Sequence, residues 1–128
     1  MPPHSRRPLR YALAFVVFVA LVTAALAVGA TVAERRALTA ETEYVDHRLE
    51  QQADCLSDWG ADEGAGPDRD AEIRRVTLGG VYVDVTMPYA YTVGDGDDRV
   101  FADTASRATY AVTPTTTTRV GGDDVDVC

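Results

Sequence analysis

Residues 11–33 read YALAFVVFVALVTAALAVGATVA, and residues 34–59 continue ERRALTAETEYVDHRLEQQADCLSDW. The first stretch holds no charge, and Thr and Gly are its only weakly polar interruptions. At about 1.5 Å per residue it makes a helix of about 34 Å, enough to cross a hydrocarbon core of about 30 Å. A helix buried in a water-soluble core would be shorter and would keep a polar stripe. Tyr11–Ala33 is therefore expected to be a transmembrane helix, with residues 1–10 as a basic leader. The second stretch contains neither Gly nor Pro. Its Leu38, Val45, Leu49 and Leu56 fall at steps of seven, four and seven, with Tyr44, Ala53 and Trp59 nearby. That spacing predicts an amphipathic juxtamembrane helix over 34–59, stopped by Gly60. Its narrow apolar stripe must pack on the rest of the chain or on a neighbouring helix.

The flanks orient the run. Arg6, Arg7 and Arg10 precede it, against Arg35 and Arg36 after it, and the amino terminus adds charge to the first side. The positive-inside bias places the leader in the cytoplasm and the C-terminal part outside the cell. The run is longer than the apolar region of a secretory signal, which favours a retained anchor. Ala25-Leu26-Ala27 and Val28-Gly29-Ala30 nevertheless have the small-x-small pattern of a cleavage site, so a secreted domain stays open. Ser5-Arg6-Arg7-Pro8-Leu9 has part of a twin-arginine export pattern, with Arg10 where an apolar residue belongs. Ala25, Gly29 and Ala33 recur at steps of four, which lets two helices approach closely in lipid. The partners implied are the bilayer and a homo- or hetero-oligomer through this helix; accidental spacing in an Ala-rich helix is the other reading.

Beyond a loop over 60–70 (GADEGAGPDRD) the pattern changes to period two. Glu72–Leu78 and Val81–Met87, separated by Gly79-Gly80, predict a β-hairpin. Val81, Val83, Val85 and Met87 should face a core, and Tyr82, Asp84 and Thr86 the solvent. Pro88 is expected to break the ladder before Tyr89, Tyr91 and Val93 alternate again. After a turn at Gly94–Asp98 come Val100-Phe101 and then a strand over Arg107–Thr113, with Ala108, Tyr110 and Val112 on one side. Thr115–Val120 extends that strand, and the final GGDDVDVC reads as loosely ordered. The fold class is thus α+β: a transmembrane helix continuing into an amphipathic helix, packed on a small antiparallel sheet within residues 71–128.

Such a domain buries a limited share of its surface. Cys55 ends the helix and Cys128 is the last residue. A disulfide between them would close about 74 residues, contribute about 4 kcal/mol on the chain-entropy model, and pin the tail to the helix. An extracytoplasmic location permits it. Free thiols and intermolecular bridges are the alternatives.

Charge is divided along the 128 residues. Residues 1–33 carry three arginines and no acid, whereas residues 34–128 carry 9 arginines against 20 acids. That acidic part excludes a nucleic-acid partner, because phosphate binding needs clustered cations. There is no Lys and no Asn, and Ile73 is the only Ile, while Ala, Val, Thr, Asp and Arg dominate. An acidic surface with arginine as its strong cation resembles proteins of halophilic archaea, whose carboxylates hold water at high salt; GC-rich codon bias is the plainer reading.

Sites for chemistry are sparse. Asp95, Asp97 and Asp98 resemble a fragment of a calcium loop, with Asp103 downstream, but the alternation of a full loop is absent. They are weak metal candidates beside the plain reading of an acidic turn. Glu43 and His47 form one i, i+4 pair, which cannot fill a metal site. No phosphate-binding Gly-rich loop or nucleophile elbow is present, and Ser5, Ser57 and Ser106 lack signature surroundings. No enzyme, cofactor or small-molecule substrate is inferred. The Thr115–Thr118 run is an O-glycan acceptor or simply β-favouring.

A basic leader, a long apolar helix running into an amphipathic one, and a small β domain together resemble type IV pilin-like proteins. The processing site of that family, a basic and a small residue just before the apolar helix, is missing, since Tyr11 follows Arg10 directly. The composition also resembles small membrane proteins of halophilic archaea. The resemblance implies a non-enzymatic, single-pass surface protein, pilin-like or accessory to a cell-surface assembly. An anchored binding module is the competing expectation, and a secreted domain the third.

Overall fold

The computed structural model describes residues 7–62, 64 and 66–128, without the side chains of residues 22–28. The chain divides into two compact units, Met1–Thr31 and Val32–Cys128. Helix α1, Arg7–Gln51, belongs to both. In the first unit the side chains of Leu9, Tyr11, Leu13, Phe15, Phe18 and Leu21 are all 64–75% exposed. At about 100° per residue these positions surround the helix, so no polar stripe interrupts them. Among the described residues, no helix is long and apolar enough to cross a membrane. The central side chains of the apolar run, including Ala25 and the Ala25-Leu26-Ala27 pattern, lie outside the described residues, as does the leader through residue 6.

The second unit is α+β: the later part of α1 covers one face of a five-stranded antiparallel sheet. Its strands are β1 (Leu56–Ala61), β2 (Asp70–Thr77), β3 (Gly80–Val93), β4 (Val100–Val112) and β5 (Thr117–Gly122). β3 is the spine. It pairs with β4 along one side and with β2 and β1, end to end, along the other, while β5 adds to β4. The expected hairpin at Gly79-Gly80 forms, with Thr77 opposite Gly80. Val83, Val85 and Met87 are buried as the alternation predicts, and Ala108, Tyr110 and Val112 line the same core from β4. Thr117–Gly122 is a strand of its own, folded back on β4 after Pro114, rather than an extension of it.

Pro88 does not interrupt β3. Its carbonyl accepts from the Asp62 N–H at 2.8 Å. A strand residue aims its N and its carbonyl at the same side, so the donor that proline lacks would face the β1/β2 side. There β1 ends with Ala61 opposite Tyr89, and β2 starts only with Asp70 opposite Thr86. The missing N–H falls in that gap, and the ladder loses nothing.

The helix ends at Gln51, not at residue 59. Gln52 to Leu56 descend in tight turns, with Gln52 N–H donating to Leu49 O at 3.0 Å and Cys55 N–H to Gln52 O at 3.1 Å. Leu56–Ala61 then pairs with Tyr89–Val93. Leu56 still joins Val45 and Leu49 in one core cluster, reaching it from a strand. The tail is also ordered in a way its composition hides. Gly122 has φ +148°, and a Cβ there would come within 2.7 Å of Ala108. Val125 is wholly buried, and its carbonyl accepts from Gln52 Nε2 at 2.8 Å and Arg48 Nε at 3.2 Å. Cys55 and Cys128 form the expected disulfide, their Cα atoms 6.3 Å apart.

Candidate functional site

The face that α1 turns to the sheet is a single row at steps of four: Ala33, Ala37, Glu41, Val45 and Leu49, each at most 3% exposed. Side chains four apart on a helix lie above one another. Four of the five are apolar, and the middle one is a fully buried acid.

Glu41 meets a set of donors prepared by the sheet. Ser106 and Tyr110 lie two positions either side of Ala108 on the inward face of β4, and Arg119 stands opposite Tyr110 on β5. Ser106 Oγ donates to Glu41 Oε1 at 2.5 Å, and the Tyr110 hydroxyl donates to Oε2 at 2.6 Å. Arg119 Nε donates to Oε2 at 3.1 Å and Nη2 to Oε1 at 3.4 Å, the two-pronged arrangement that suits a guanidinium. The same guanidinium covers the Tyr44 ring at 4.0 Å and donates to the Asp123 carbonyl at 2.7 Å. Burial, reinforced by the hydrogen bond to Glu41 and by its charge, raises the Tyr110 pKa and keeps the phenol a donor. For Arg119, burial pulls the pKa down, but the bond and charge of Glu41 outweigh it and the net direction is up.

This cluster is saturated. Both carboxylate oxygens are occupied by donors, and among the described residues no buried side-chain nitrogen or oxygen lacks a partner. Depressions of about 470 Å³ (Arg74, Arg75, Tyr82, Thr109, Val120, Gly121) and 370 Å³ (Arg35, Arg36, Thr39, Ala40, Glu43, Thr117) are lined by other residues. A carboxylate enclosed in this way fixes the register of α1 against β4 and β5. It has no free lone pair aimed at an incoming molecule.

The sequence-derived candidates are spread elsewhere. Asp95, Asp97 and Asp98 occupy the exposed turn around the short 3-10 helix Gly96–Asp98. Among the described residues, no three His, Cys, Asp or Glu side chains come together to hold a metal ion. His47 is exposed, with Gln51 Nε2 3.1 Å from its Nε2. Of the small-residue row, Ala33 is buried against Val83, Val85 and their neighbours inside its own unit. A Cβ on Gly29 would meet nothing within 4 Å, and the Ala25 side chain lies outside the described residues. Cys55 and Cys128 are brought together as expected. Glu41 was readable only as one acid among many; the signal pointing to it is its place in the otherwise apolar row.

No family model, curated protein or solved structure matches the chain.

Proposed function

We propose that the chain is a non-enzymatic, single-pass surface protein, anchored by residues 11–33, with its N-terminus in the cytoplasm and its β domain outside. The observation that carries this reading is the 23-residue uncharged run, whose large side chains from Tyr11 to Leu21 stay exposed around the helix. Such a surface is costly in water and at home in lipid. The Cys55–Cys128 disulfide suits an oxidising, extracytoplasmic setting. The saturated Glu41 cluster, which holds α1 on the sheet, suits a scaffolding domain. A pilin-like or accessory role in a surface assembly, joined through the N-terminal helix, extends the same reading.

Carbonate-washed membranes from cells making the full chain test it. The chain is expected in the pellet at the mass of all 128 residues, with residues beyond 34 open to protease added to intact cells. A soluble product lacking residues 1–27 or 1–30 would replace the anchor with a secreted domain. Crosslinking in the same membranes is expected to trap oligomers; a strictly monomeric chain would remove the assembly role.

A further inference from the structure

Register gives every strand residue a level along β3, from Gly80 at one end to Val93 at the other. Helix α1 runs the same way within this unit. Ala33 and Ala37 pack with Val83, Val85 and Val112, whereas Val45 and Leu49 pack with Met87 and Tyr89. Arg36 confirms the alignment by donating to the Thr113 carbonyl at 2.6 Å. The chain enters the unit at Val32, so it arrives from the apolar run at the Gly80 end.

That end has an unusual surface. The β2–β3 hairpin closes through Leu78, which is fully exposed, and Val76 beside it is 62% exposed. Arg74 and Arg75 sit on β2 at the level of Tyr82 and Val83, and Arg35 and Arg36 on the first helical turn after Val32. Glu34 precedes Arg35, Glu43 lines a shallow depression with Arg35 and Arg36, and Asp84 lies 3.8 Å from Arg74 in an exposed pair, while Arg75 covers the Tyr82 ring at 4.3 Å. The Val93 end is the reverse, with Asp95, Asp97 and Asp98 against Arg99 in its turn. Four of the domain's nine arginines, Arg35, Arg36, Arg74 and Arg75, lie where the chain leaves for residues 11–33.

We propose that this end is a lipid-docking face. Leu78 and Val76 enter the interfacial layer of the bilayer that holds the apolar run, while Arg35, Arg36, Arg74 and Arg75 pair with anionic headgroup phosphates. The inference rests on the membrane-anchored reading and adds that the domain lies against the membrane rather than hanging free from it. Apolar side chains rimmed by arginines match the depth profile of an interface, where aliphatic groups sink and guanidinium heads remain at the phosphates.

Trp59, the single tryptophan, lies opposite Tyr91 towards the far end and serves as the internal control. The full chain and its Trp59→Phe/Leu78→Trp variant are reconstituted into vesicles of phosphatidylglycerol and phosphatidylcholine brominated near the headgroup end of its acyl chains. The indole introduced at position 78 is expected to lose at least half its emission to bromine, while Trp59 in the native chain keeps its own. Adding Arg74→Gln and Arg75→Gln, or omitting the phosphatidylglycerol, should restore emission at position 78. Equal emission from both positions, in vesicles that retain the chain through a carbonate wash, overturns the docking face and leaves the anchor standing. An indole at 78 shielded from aqueous acrylamide yet untouched by bromine also overturns it, because the tip is then covered by protein. Loss of the chain from the washed vesicles overturns both readings.

Discussion

The two stretches of α1 present opposite solutions to burying a helix. From Tyr11 to Leu21 apolar side chains surround the axis and stay exposed; from Ala33 to Leu49 one row is buried, Leu38, Ala40 and Tyr44 flank it, and the other charged residues lie outside. The first stretch has no preferred face and matches a solvent that is apolar on all sides. The second has a face specified to the residue, because Glu41 finds its donors in only one register against β4 and β5. Apolarity alone leaves the rotation of a helix open, and a single enclosed charge fixes it.

Substitutions should separate the two roles. Phe18→Arg with Leu21→Arg places two charges in the first stretch, each costing about 3 kcal/mol at membrane depth. The pair is expected to shift the chain out of carbonate-washed membranes while the sheet domain keeps its disulfide. Retention in the pellet would break the comparison. Replacing Cys55 and Cys128 by Ser acts on the second stretch, removing about 4 kcal/mol on the chain-entropy model without altering membrane retention; urea unfolding in detergent measures it. Glu41→Ala is expected to cost about 3 kcal/mol, since Arg119, Ser106 and Tyr110 lose their shared acceptor in a buried site. An unchanged urea midpoint for this variant would mean that the polar cluster does not specify register. The smallest effect lies at alkaline pH. Burial raises the pKa of both Tyr110 and Tyr89 above the ordinary 10.0. The unfolded chain then releases those protons first, so stability is full below about pH 10 and declines as pH rises beyond it. Tyr110→Phe should flatten that decline when urea midpoints are compared across the alkaline range.

The local parts of the fold were legible and the distant parts were not. Gly79-Gly80 between two alternating runs specifies a hairpin from neighbouring residues alone, and the same alternation assigns Val83, Val85 and Met87 to the core. Leu56 and Trp59 satisfy a helical stripe as well as a strand. What decides between them is a ladder to Tyr89–Val93, more than thirty positions away, which no local period reports. Pro88 misled for a related reason, since its effect depends on which neighbour the missing donor would face. Val125 was hidden in an acidic tail because its burial depends on Gln52 and Arg48, contacts made across the whole sheet unit. For the polar cluster, Ser106, Tyr110 and Arg119 share no spacing motif with Glu41, so composition could announce an acid but not its enclosure.

The pairing of β3 with β2 and β4 also sets an order of assembly. β2, β3, β4 and β5 form three successive hairpins, each closed over a few residues, so these contacts carry the smallest loop-closure cost. β1, the Glu41 row and the tail join partners far along the chain and gain their contacts only once that meander exists. The helix is made first and seated late. The apolar members of its buried row find their floor once β3 and β4 are paired, and only Glu41 waits for Arg119 of β5 to close over it.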